Sequence, residues 1–184
     1  MTALRPTLQP GLYVVTGIMA SGKSTIAQLL AEAAEKSVHL RGDSFRRMIV
    51  NGREDMVANP SDEALAQLRL RYRIAAEVAD RYRQAGFTVV LQDNYLGHEV
   101  NVLLDAIQST PLYFITLNPS REAIMEREWQ RAKKGYSNFE VGQLYETLQI
   151  ENPQIGLWVD STKQSPHETT SEILRRVETE GRIR

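Results

Sequence analysis

The run Gly17-Ile18-Met19-Ala20-Ser21-Gly22-Lys23-Ser24-Thr25 constrains this chain more than any other. Its pattern, G-x-x-x-x-G-K-S/T, works only where a strand delivers the backbone into the loop and a helix leaves it. Both flanks comply. Leu12-Tyr13-Val14-Val15-Thr16 is a short apolar run of strand type, and Ile26, Leu29, Leu30 and Ala33 recur at helical spacing. Gly17 and Gly22 permit dihedrals that turn successive N–H groups inward. The segment Gly17, Ala20, Ser21, Gly22, Lys23, Ser24 and Thr25 then forms a nest for phosphate at the positive end of a helix. Lys23 supplies a mobile charge for the β- and γ-phosphates, the Ser24 hydroxyl can hold Mg²⁺, and Thr25 falls near the α-phosphate. The plainer alternative is a strand-to-helix turn with a surface lysine.

At 184 residues, 42% hydrophobic and 24% charged, the chain is expected to form one soluble domain over residues 1–184. No apolar run approaches membrane-spanning length, and Met1 to Pro10 lacks the apolar core of a signal peptide. The absence of cysteine suits a cytoplasmic setting. A formal charge of -1 speaks against a nucleic-acid partner.

Beyond the first helix, expected to end near Lys36, further strands are expected at Ser37–Leu40, Phe87–Leu91, Leu112–Leu117 and Ile155–Val159. Helices are expected between them: Phe45 to Val50, a long one from Ser61 to Gly86, one through Val102 and Ile107, one through Ile124 and Arg131, and Phe139–Gln149. A last one is capped by Ser165-Pro166-His167-Glu168. The tail after Glu178 is expected to fray. Apolar strands alternating with helices imply an α/β fold, a parallel sheet of about five strands with helices on both faces. Ligands bind such sheets beyond the carboxyl ends of the strands, where Asp43, Asp93 and Asp160 join the glycine loop.

Each polar group there has a chemical and a structural reading. Asp43, just past the second strand, can orient or accept the proton of an attacking hydroxyl from the neighbour position, or it can cap the next helix. Arg46, three residues on and on the same helix face as Asp43, can hold an anionic acceptor, with Arg47 the competing choice; both can also be a solvated face. Asp93 can reach Mg²⁺ through water or contact substrate, or it can serve a turn with Asn94. Arg127 and Arg131 share a helix face. They can close over the phosphates as a lid spanning about residues 127–140, or merely complement the helix dipole. Ser165 lies where the backbone could frame a nucleobase, although a capped helix start accounts for it.

These segments resemble P-loop small-molecule kinases, among them chloramphenicol phosphotransferase-like proteins, gluconate kinases and zeta-toxin-like kinases. The resemblance rests on Gly17–Thr25, the Arg41-Gly42-Asp43-Ser44 segment, Arg127 with Arg131, and Val159-Asp160-Ser161-Thr162-Lys163 with Ser165-Pro166. It implies a three-layer P-loop NTPase fold with the loop strand central and a small helical lid. It also implies transfer of the γ-phosphate of ATP, with Mg²⁺, to a hydroxyl of a small molecule such as an antibiotic or metabolite. Asp43 would be the catalytic carboxylate and Arg127 with Arg131 the lid. Asp43-Ser44-Phe45-Arg46 also resembles the Asp-x-x-Arg of polynucleotide 5′-hydroxyl kinases, and a nucleoside or nucleotide kinase would present base-stacking aromatics such as Tyr72, Tyr82 or Tyr95. A regulatory ATPase is the alternative from another class. The Asn118-Pro119 segment lacks the guanine-reading Asn-Lys-x-Asp of GTPases, which favours ATP as the donor.

Overall fold

The computed structural model describes residues 7–57, 59–130 and 138–184, without the side chains of 138–140. Strand β1 (Leu12–Thr16) is buried along its whole length because its alternate residues serve two different cores. Tyr13 and Val15 pack with helix α1 (Lys23–Glu32) and helix α7 (Pro166–Arg176) on one side of the sheet. Leu12 and Val14 pack with α3 (Asp62–Gln84) and α4 (Val100–Ala106) on the other.

The other strands are β2 (Ser37–Arg41), β3 (Thr88–Gln92), β4 (Leu112–Leu117) and β5 (Leu157–Val159). All pairings are parallel and the order is β2-β3-β1-β4-β5, so the loop strand is central. The neighbours of β1 are β3 and β4, and β2 is the edge. Asp43, in the first turn of α2 (Gly42–Arg47), therefore lies past the end of the edge strand β2, with β3 between it and the loop strand, rather than in the strand position next to the loop. A third apolar cluster gathers Ile18 and Met19 of the loop with Ile124 of α5 (Arg121–Gln130) and Val141 and Leu148 of α6 (Asn138–Ile150). Among the described residues, no helix is long and apolar enough to cross a membrane.

Local signals in the sequence set most boundaries. Ser61 caps α3 by accepting from Ala64 N at 3.0 Å. Ser165 and Glu168 complete the capping box of α7, with Pro166 following the cap. Two helices stop earlier than their apolar patterns suggest: α1 at Glu32 rather than near Lys36, and α2 at Arg47 rather than Val50. Met48 and Val50 are correspondingly exposed.

The tail does not fray. Short β5 pairs only with Ile115 to Leu117, so the start of β4 has a free edge, which the chain end covers. Tyr113 bridges Arg182, Leu112 N donates to Arg184 O at 2.9 Å, and Ile183 N donates to Leu112 O at 2.9 Å. The Arg184 guanidinium adds bonds to the Leu104 and Ile107 carbonyls. The unmet backbone groups of β4 outweigh the polar composition of the tail.

Burial, reinforced by the charge of Arg41, lowers the pKa of His39 on β2 from 6.5 to about 4. The folded value lies below the unfolded one, so the unfolded chain binds the extra proton. Stability from this group is present above pH 6.5 and is lost as the pH falls toward 4. His39→Gln should flatten thermal stability over that window; a slope unchanged from the parent protein would refute the assignment.

Candidate active site

The backbone of the loop is bent at three places. Gly17, Ala20 and Gly22 have φ of 147°, 56° and 95°, and for alanine that region costs strain of the kind that accumulates at functional sites. Gly17 is demanded by crowding, since a Cβ there would sit 2.6 Å from Ser21 Oγ and 2.7 Å from Leu117 O. Gly22 is demanded by conformation alone: a Cβ would meet nothing within 4 Å. Gly22 also precedes α1 without any side-chain cap, leaving the first N–H groups of the helix pointing into that open space. The Ser21 hydroxyl is buried without a hydrogen-bond partner, while Gly22, Ser24 and Thr25 are exposed. An uncapped helix start, inward-turned amides and an open concavity fit a polyphosphate.

Lys23 Nζ donates to Ile18 O at 2.8 Å, curled over the loop it would serve. Ser24 Oγ stands 3.5 Å from Gln92 Oε1, so the last side chain of β3 reaches the hydroxyl suited to Mg²⁺. Asp93, one residue on, turns elsewhere. Its Oδ1 accepts from Asn94 N at 2.8 Å, and its Oδ2 lies 3.6 Å from Arg71 Nη2 on α3. A Cβ on Gly42 would fall 2.5 Å from that Oδ2, so glycine at the start of α2 makes room for Asp93.

This strand end is tightly held. Thr16 Oγ1 donates to Tyr95 O at 2.8 Å and accepts from Tyr95 N at 3.0 Å, both buried. Asn152 Nδ2 donates to the same carbonyl at 3.1 Å, and Tyr72 Oη donates to Asn94 O at 2.9 Å. Tyr72 and Tyr95 meet edge to face at 4.9 Å within the core, and Tyr82 packs on Phe87. None of the three forms a stacking platform for a base.

Asp43 is gripped by two cations. Arg46 Nε donates to its Oδ1 at 2.9 Å, and Arg47 Nε to its Oδ2 at 2.6 Å. Partial burial pushes the carboxyl up, but the hydrogen bonds and charges of Arg46 and Arg47 outweigh it and hold the pKa below the usual carboxylate range. Arg46 also donates through Nη1 to Asp55 at 2.5 Å and is largely covered, whereas Arg47 is mostly exposed. Arg46 is thus the one that faces the cleft between α2 and α3.

At the other end of the site, Arg127 Nη2 donates to Ser161 O at 2.7 Å and tethers α5 to the segment after β5. Asp160 Oδ1 accepts from Thr162 N at 2.9 Å and from the Thr162 hydroxyl, bonds that lower its pKa. Ser165 is engaged in its cap, accepting from Glu168 N and donating to Glu168 Oε2. Arg131 and residues 131–137 of the expected lid lie outside the described residues.

Thr16, Arg71 and Asn152 escape a sequence reading. Thr16 looks like the last residue of an apolar strand, Arg71 like one more charge on an Arg-rich helix, and Asn152 like a loop residue. Only the proximity of Asp93 and Tyr95 gives them roles. The one visible signal is the break of pattern at Arg71, an arginine between the buried Leu68 and Tyr72.

No curated protein sequence matches the chain. Solved structures share its fold. A sugar kinase from Janibacter sp. HTCC2649 is similar with a TM-score of 0.69 and 22% identity, over 91% of this chain and 94% of that one. A gluconokinase from Sinorhizobium meliloti 1021 is similar with a TM-score of 0.63 and 23% identity, over 90% of each chain. The tunicamycin resistance protein of Deinococcus radiodurans is similar with a TM-score of 0.65 and 13% identity, over 91% of this chain and 95% of that one. A family model described as an AAA domain, AAA_33, matches residues 12–146. That span runs from β1 through most of α6 and covers the loop, Asp43 and Asp93 together, and the chain belongs to this family.

Proposed function

We propose that this protein is an ATP-dependent, Mg²⁺-requiring phosphotransferase that moves the γ-phosphoryl group of ATP to a hydroxyl of a small molecule. One observation carries the reading: an uncapped glycine loop and an ionised, arginine-held carboxylate stand at the same edge of one sheet. The likeness in fold to a sugar kinase and a gluconokinase supports it.

The loop amides and Lys23 hold the β- and γ-phosphates, for which Lys23 gives up its bond to Ile18 O. Mg²⁺ at Ser24 supplies charge neutralisation on the phosphate oxygens. The acceptor oxygen forms the new bond to phosphorus as the bond to the bridging oxygen breaks, and ADP leaves with that electron pair. Asp43 accepts a hydrogen bond from the acceptor hydroxyl and aims it. Its depressed pKa makes it a weak base, which suits a loose transition state in which the nucleophile loses its proton late. Arg127, fixed to the segment after β5, belongs to the nucleotide side, and Arg131 completes the lid in this reading.

Asp43→Asn should retain ATP affinity while lowering acceptor-dependent turnover about 10²–10⁴-fold; near-normal phosphorylation would exclude Asp43 from the chemistry. Lys23→Ala should instead weaken ATP binding itself, by about ten-fold or more, through loss of charge-assisted contacts. Calorimetric titration with ATP measures this, and affinity equal to that of the parent would show that the loop holds no triphosphate.

A further inference from the structure

We propose that the outer face of α3 is a self-association surface, on which a second copy of this chain lays its own α3 antiparallel about a two-fold axis level with Tyr72.

The inner side of α3 is fully used. Leu68, Tyr72, Ala75, Ala76 and Ala79 are buried in the core beneath it. Its flank is fastened by Arg69, which holds Glu99 through two bonds, and by Asp80, which accepts from Gln108 N and Ser109 N at 2.9 Å each. A second line of residues runs along the outer side. Glu63, Gln67, Leu70, Ile74, Glu77 and Arg81 alternate four and three positions apart on a helix of 23 residues, so they share one face. Leu70 and Ile74, 51% and 37% exposed, occupy its middle. One exposed leucine is ordinary on a protein surface. A stacked Leu–Ile pair at the centre of a four-three repeat is instead the seam by which one helix packs on another.

The charges on that seam name the occupant. When α3 is turned end over end about the level of Tyr72, Leu70 comes opposite Ile74, Gln67 opposite Glu77, and Glu63 opposite Arg81. Apolar groups then meet in the middle and opposite charges at both ends, so the face is complementary to itself, as a two-fold interface requires. A parallel pair sets Glu63, Glu77 and Arg81 each against its own copy, where like charges repel. Arg73 flanks the seam and also approaches its own copy across the axis, but Glu77 lies one turn from it on the same helix. Glu63, Arg73, Glu77 and Arg81 together carry no net charge. The contact is one helix face, which places the dimer at the weak end of specific association, with a dissociation constant on the order of 10–100 µM.

Sedimentation velocity of the full chain over about 1–500 µM should show a reversible monomer–dimer equilibrium. Leu70→Glu, at an exposed position outside the core, should hold the chain monomeric throughout with its helix content unchanged. Glu63→Arg and Arg81→Glu should each weaken the dimer about three- to ten-fold, and the double variant should restore it. Glu63 and Arg81 lie about 27 Å apart along one helix, so only a partner chain can bring them together and no contact within one chain explains a rescue. Orientation is read by cross-linking, because the chain has no cysteine of its own. An equimolar mixture of Leu70→Cys and Ile74→Cys chains should form the mixed disulfide dimer in preference to either homodimer. A chain that stays monomeric over that range, a Leu70→Glu variant that still dimerises, or Leu70→Cys chains that cross-link to one another as readily as in the mixture would overturn the proposal.

Discussion

Thr16 and Tyr95 exchange two buried hydrogen bonds, 79 residues apart in sequence, and the geometry of the whole site descends from that exchange. Thr16 is the last residue of β1 before the glycine loop, and Tyr95 follows the end of β3. Buried backbone groups outside a ladder must find partners or cost about 1–3 kcal/mol each. By answering the N–H and C=O of Tyr95, one hydroxyl secures the backbone on which Asp93 is mounted. Asn152 joins the same carbonyl from beyond α6. The loop, the Asp93 carboxylate and the α6 layer are in this way referred to a common point.

Around that point the two ends of the site obey different electrostatics. The loop offers the partial charges of its amides and of a helix end together with the full charge of Lys23, and a Cβ on Gly22 would meet nothing within 4 Å. The α2–α3 cleft is already neutralised, each arginine facing a carboxylate. Asp43 lies beside that cleft, where Arg46 and Arg47 hold its pKa down against the pull of burial.

Much of this was legible in the residues. The strand–loop–helix at Gly17, the α3 and α7 caps and the parallel sheet follow from local chemistry and from runs that are apolar on both faces, whereas the central position of β1 was implied only by the resemblance to P-loop kinases. The α2 boundary was misjudged because Met48, Ile49 and Val50 look like a continued apolar stripe. Met48 and Val50 are instead exposed, and Ile49 turns into the cleft beside α3. The tail was misjudged because its composition is polar, and sequence does not show that β5 stops short and leaves the edge of β4 open. Tyr72 and Tyr95 are aromatic in either reading, and only their mutual packing shows that they belong to the core.

The sequence by itself determined the phosphate loop, because its requirement is local: glycines where the backbone must turn and a lysine and serine at the first turn of a helix. It also determined that Asp43 and Asp93 follow the carboxyl ends of two strands, the edge at which parallel sheets commonly bind ligands. Only the tertiary structure decided that β3 separates β2 from β1, that Gln92 faces Ser24 while Asp93 faces Arg71, and that two buried polar atoms there lack partners. Those facts depend on strand order and on which way consecutive side chains point at the end of a strand. Both are set by packing among residues distant in sequence, and no local pattern encodes them.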